Sequence, residues 1–147
     1  MIRNESEYRE AVERLKNEEE VLSRASREFR EHGASKEELK RLLDPLMSFH
    51  LQLKEEVDGY ERLRRGELQE ITNLRSLGHA LICLRIANNV TQQELANRLE
   101  VDPSQVSRYE RNEYHGITLD RAAKILETLG VGVQVKFAVQ DDEPVVA

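Results

Sequence analysis

Between Pro103 and Asn112 the chain reads PSQVSRYERN, and its polar side chains are of the kinds that recognise nucleic acid. Ser104, Gln105 and Ser107 each donate and accept hydrogen bonds, and Arg108 offers a planar fork that matches guanine O6 and N7. Spaced along a short helix, these four would face base edges. Arg108 is the first candidate because it is long and forked, while Ser107 could equally tuck against the backbone. Arg111, Asn112, Tyr114 and His115 follow directly and are candidates for gripping the phosphate backbone, the plainer alternative being a turn of polar residues. The chemistry is recognition, not bond making. His32, His50, His79 and His115 are scattered, with no H-x-x-x-H spacing and no cysteine partner, so no metal site is expected. No Gly-rich phosphate loop and no nucleophile elbow occurs, so neither a cofactor nor an enzyme is expected.

Such a helix needs partners that hold it. Val90–Asn112 reads as two short helices around a tight turn. Thr91 with Glu94 makes a capping box ahead of Leu95, Ala96 and Leu99 at helical spacing. Asp102 then caps a second helix with Pro103 at its first position, where a missing N–H costs nothing. Only Val106 and Tyr109 of that helix look inward. The pattern is a helix-turn-helix whose second helix would lie in the major groove of double-stranded DNA. Gln92 opens the first helix, where a phosphate contact is expected because helix N-termini attract anions. Leu77–Ala87, with Ser76 as its expected cap, precedes the pair. Leu119–Leu129, capped by Thr118, follows it and closes the core with Ala122, Ile125, Leu126 and Leu129.

From about Leu77 to Leu129 the chain resembles the XRE (phage lambda repressor-like) family of DNA-binding domains. The matches are Leu84-Arg85, Thr91-Gln92-x-Glu94-Leu95-Ala96, Val101, Val106-Ser107-Arg108-x-Glu110 and Leu126. The resemblance implies that Arg85 pairs with Glu110 in preference to contacting a phosphate, and that Gln92 meets the DNA backbone. Pro103 departs from phage repressors, where long polar side chains often begin this helix. Tyr60–Gly66, together with the C-terminal helix-turn-helix, resembles HigA-type antitoxin regulators, which implies a toxin protein as a further partner, held by the N-terminal hairpin or the C-terminal strand.

The rest of the 147 residues sets the frame. Aromatics are 5% and charged residues 34%, which favours a mostly helical chain with a modest core. The net charge of −6 gives no broad positive field, so useful binding requires a dimer and specific contacts. Cys83 is the only cysteine and reads as a core thiol, and Met1–Glu10 is charged without an apolar run. A cytoplasmic protein without export or membrane segment is expected.

Residues 1–66 read as an antiparallel helical hairpin for interaction or dimerisation. Asn4–Glu31 and Lys36–Arg65 carry apolar residues at three-to-four spacing, and each would be about 40–45 Å long. Tyr8, Leu15, Leu22 and Phe29 form a seam that Glu18 interrupts, Gly33 ends the first helix, and Ser35 with Glu38 caps the second. At Asp44-Pro45 a kink is expected in preference to a restart with Asp44 as cap and Pro45 at the first position. Residues 67–76 form a linker that could hold a short helix, 77–130 the helix-turn-helix domain, and 140–147 an acidic tail expected to be disordered.

The segment 131–139, VGVQVKFAV, alternates apolar and polar or small residues and reads as a β-strand with Val133, Val135 and Phe137 on one side. With no second strand in sight, the expected arrangement is a homodimer in which this strand pairs with its copy. The expected fold is therefore mainly α, a long hairpin followed by a lambda repressor-like domain and one dimer-pairing strand. The expected function is a homodimeric transcriptional regulator, most simply a repressor on a palindromic operator. An autoregulating antitoxin and a helical adaptor without sequence-specific DNA binding are the rival readings.

Overall fold

Local capping closes the ends of the long helices. In a computed structural model, which describes residues 1–139, α1 spans Glu5–Glu31 and α2 spans Lys36–Arg64. The Asn4 side chain accepts from the Glu7 amide at 2.9 Å, and Ser35 and Glu38 cap α2 reciprocally. Gly33 turns the chain at φ +83°, a left-handed conformation that costs glycine little. Helix α2 runs through Pro45 without restarting at Asp44. Proline there removes one amide from the ladder, and its exposed position leaves the freed carbonyl of Arg41 accessible to water.

The hairpin is closed tightly at one end only. Near its base, Tyr8 stacks on Tyr60 at 5.2 Å and donates its hydroxyl to Glu61 at 2.7 Å, while Arg64 pairs with Glu5 at 2.8 Å. Glu18, the polar break in the α1 seam, faces the buried His50 with its Oε2 at 3.4 Å from Nδ1. At the base, Ile2, Ala11, Val57 and Tyr60 join the core of the C-terminal domain, so hairpin and domain share one continuous apolar interior.

The linker forms no α-helix. A 3-10 turn at Leu74–Ser76 leads into α3 (Leu77–Ala87), and Asn73, in place of the expected Ser76, supplies the cap by accepting from the Ser76 amide at 3.1 Å. Ser76 is already in a helical conformation and cannot bend its hydroxyl back onto the free amides. Helices α4 (Gln92–Leu99), α5 (Pro103–Arg111) and α6 (Leu119–Thr128) follow, packed around Leu81, Ile82, Leu95, Val106 and Ile125.

One element differs from the sequence expectation. Among the described residues there is no β-strand: Val131–Val139 leaves α6 at Gly130 as irregular chain, with only Val131 against the core. Val133 and Val135 are exposed, and Phe137 is 92% exposed. The expected dimer-pairing strand is therefore corrected to a tail. Alternation and β-branching favour an extended backbone, but a strand exists only where a second row of donors and acceptors meets it, and every other regular element here is a helix that satisfies its own. The tail 140–147 lies outside the described residues. Among those described, no helix is long and apolar enough to cross a membrane.

Candidate nucleic-acid interface

The turn that aims α5 is built from three local devices. Thr91 Oγ1 accepts from the Glu94 amide at 3.0 Å while Glu94 Oε2 accepts from the Thr91 amide at 2.8 Å, opening α4. Glu100 ends α4 in the left-handed conformation, φ +58°. Asp102 Oδ1 then accepts from the Ser104 amide at 2.8 Å, with Pro103 beginning α5. Hydrogen bonds from Ser104 hold the Asp102 carboxyl below its ordinary range, and those from Thr91 do the same for Glu94. Both caps are thus present at neutral pH and are lost as pH falls through their depressed values. A left-handed glutamate is disfavoured relative to glycine, so Glu100→Gly is expected to raise stability by about 0.5–1 kcal/mol. A urea midpoint that stays put or falls would show that the turn carries no such strain.

The C-terminal end of α5 is fastened to α3 and α4 by a buried polar cluster. Arg85 is 3% exposed and Glu110 is fully buried. Arg85 donates through Nε to Glu110 Oε1 and through Nη2 to Oε2 at 2.7 Å, a two-point pairing. Its remaining capacity goes to the carbonyls of Val90 at 2.8 Å and Arg3 at 2.7 Å. Glu110 Oε2 also accepts from Gln92 Nε2 at 2.7 Å. Every member has a partner, which is the condition under which a buried ion pair is tolerated.

The residues expected at DNA fall into three groups. Ser104, Arg108, Arg111, Asn112 and His115 are exposed on α5 and just beyond it, while Gln105 and Ser107 are half-buried. Arg108 lies back along its own helix, with Nη2 at 3.4 Å from Ser104 Oγ, so these two candidates for base edges touch each other in the free protein. Gln92 is half-buried and gives its amide to Glu110, which fixes where the start of α4 sits relative to α5.

Tyr114 lies inside the domain and not at its surface. Expected at the phosphate backbone, it is 4% exposed, stacked against Tyr109 at 6.1 Å. Burial pushes its phenol well above the usual range, and the nearby Glu110 carboxylate adds to the shift. A tyrosine in a polar turn reads as exposed only if its ring has nowhere to go. Here the chain reverses through Glu113 and Tyr114, both left-handed at φ +49° and +53°, which turns the ring inward.

Two further residues shape this interface and carry no expectation from the sequence. Arg121 of α6 sits over the Tyr109 ring at 4.7 Å, a cation–π contact that ties α6 to α5. Gly78 in α3 lies against the Glu113–Tyr114 turn so closely that a Cβ would overlap the Glu113 carbonyl. A lone glycine inside a helical pattern is the one signal that could have found it.

The arrangement presents a short polar helix, held from behind at both ends, to whatever approaches from solvent. Comparison with curated proteins and with solved structures finds no match. A family model described as Helix-turn-helix matches residues 84–135, from the middle of α3 to past α6. Residues 84–135 thus form a helix-turn-helix module of the XRE type, which supports a DNA-binding regulator of transcription.

Proposed function

We propose that this protein is a sequence-specific transcriptional repressor that binds a palindromic operator as a homodimer, one α5 in each of two adjacent major grooves. The observation that carries the reading is α5 itself, with Ser104 and Arg108 exposed on the helix that the Arg85–Glu110 pair anchors from inside. The domain is not basic, so affinity rests on specific contacts and on two linked half-sites. Arg108→Ala is expected to weaken binding by about 1–3 kcal/mol and to relax preference at one base position of each half-site. Fluorescence anisotropy on DNA from upstream of the gene and on single-base variants of it measures both. Unchanged preference in the variant would remove Arg108 from base reading, and no binding at low salt would remove the repressor reading.

The exposed Val133, Val135 and Phe137 support a second reading, in which the tail engages a toxin protein and the repressor is the antitoxin of an autoregulated pair. Co-expression with the neighbouring gene tests it. Recovery of the chain alone would count against it.

A further inference from the structure

Helix α2 carries two adjoining apolar stripes, and the molecule covers one and a half of them. Leu39, Leu43, His50 and Val57 form one stripe at helical spacing, the first two half-buried and the last two buried, with His50 facing Glu18 of α1. The second begins at Leu42, Leu46 and Phe49 and continues to Leu53, Tyr60 and Leu63. Its C-terminal half meets the core shared with the DNA-binding domain. Its N-terminal half is bare: Leu46 is 48% exposed and Phe49 is 65% exposed. Val21 of α1, also exposed, adjoins them. Beside Phe49 opens a shallow notch of about 350 Å³ whose lining includes Arg14, Val21, Leu22 and Leu46.

We infer that this bare half-stripe is where two copies of the chain meet, their hairpins closing into a four-helix bundle. Three observations favour a second copy. The surface is a continuation of one that already packs on a helix, Tyr60 stacking on Tyr8 of α1, so its spacing suits another helix. Exposed Phe49 forms one wall of the notch, so ring and notch lie on one face, as a two-fold interface needs if each Phe49 is to meet the notch of its mate. The hairpin is also nearly balanced in charge, with 16 acidic and 14 basic residues in 1–66, and the notch rim pairs Arg14 with Glu18 at 2.8 Å, so two like faces meet without strong repulsion. Two helices from each copy complete a bundle that one hairpin leaves open. The inference deepens the dimeric repressor reading and rests on it for the two-fold operator. It also supplies the dimer contact that the C-terminal tail does not.

The test is the oligomeric state of the full chain by analytical ultracentrifugation across micromolar concentrations, for the parent, Leu46→Lys/Phe49→Lys and Leu51→Lys. Leu51 is equally exposed but lies on the other side of α2 by helical spacing, away from the notch. The expected result is a dimeric parent, a dimeric Leu51→Lys, and a double variant whose dimerisation is weakened about 100-fold or more. Its circular dichroism should be unchanged, since both replaced side chains already face solvent in the single chain. A parent that is monomeric throughout overturns the inference, including one that instead pairs with a different protein through Phe49, as does a double variant that dimerises like the parent. Operator binding, measured separately, distinguishes the two claims. A dimeric parent without DNA binding keeps the hairpin interface and removes the repressor, whereas a monomeric parent that protects an operator does the reverse.

Discussion

Glu110→Ala is expected to destabilise the protein by about 3–5 kcal/mol, because it leaves the Arg85 guanidinium buried with its charge unopposed. Arg85 keeps the carbonyls of Val90 and Arg3, but those are neutral acceptors and cannot replace a carboxylate bonded at two points. Gln92 loses its acceptor in the same change. A loss of this size is a large share of the roughly 5–15 kcal/mol that holds a domain folded, so urea denaturation should show a population partly unfolded in water. Arg85→Met/Glu110→Leu is expected to recover most of the loss, since removing both charges removes the desolvation problem with them. A single variant within about 1 kcal/mol of the parent would mean the pair is not what holds α5. A double variant as unstable as the single one would shift the weight to the surrounding hydrogen bonds.

The second large effect runs against what an isolated helix would do. In the middle of a helix, alanine is favoured over glycine by about 1 kcal/mol, so Gly78→Ala should stabilise α3 considered alone. In the folded protein the added methyl overlaps the Glu113 carbonyl and stands 3.3 Å from the Tyr114 Cβ. Neither neighbour is the free end of a side chain. Both belong to a left-handed turn whose Tyr114 ring is buried, so the turn cannot yield without moving that ring. The net expectation is a loss of about 3 kcal/mol, read as a fall in thermal midpoint. Operator affinity should fall with it, since the displaced turn adjoins Asn112 and His115. A rise in stability would show that α3 and the turn can separate at no cost.

Devices that act within four residues are legible in the sequence. Thr91 with Glu94, Ser35 with Glu38, Asp102 before Pro103 and Gly33 all stand where residue type and spacing put them, because a cap satisfies amides of its own helix and needs nothing else. The outward set on α5 is legible for a similar reason, since Val106 and Tyr109 mark the inner side and the rest follows from helical geometry. Pairing of Arg85 with Glu110, 25 positions apart, came from family resemblance, not from spacing.

Tertiary structure decided the rest. Asn73 displaced Ser76 as a cap because the chain enters α3 through a 3-10 turn, and Tyr114 went inside because two left-handed residues aim it there. Ile2 and the Arg3 carbonyl joined the core and the Arg85 cluster from a stretch whose composition reads only as charged. Val131–Val139 has the alternation of a strand and forms none, because alternation says which side chains share a face and cannot supply the second backbone a strand must bond. By itself, then, the sequence determined the helices, every cap but that of α3 and the polar face of α5, all of which depend on neighbours along the chain. Which faces are covered, which charges are sealed in and which apolar stripe stays bare depend on surfaces meeting across the fold, and only the tertiary structure decided those.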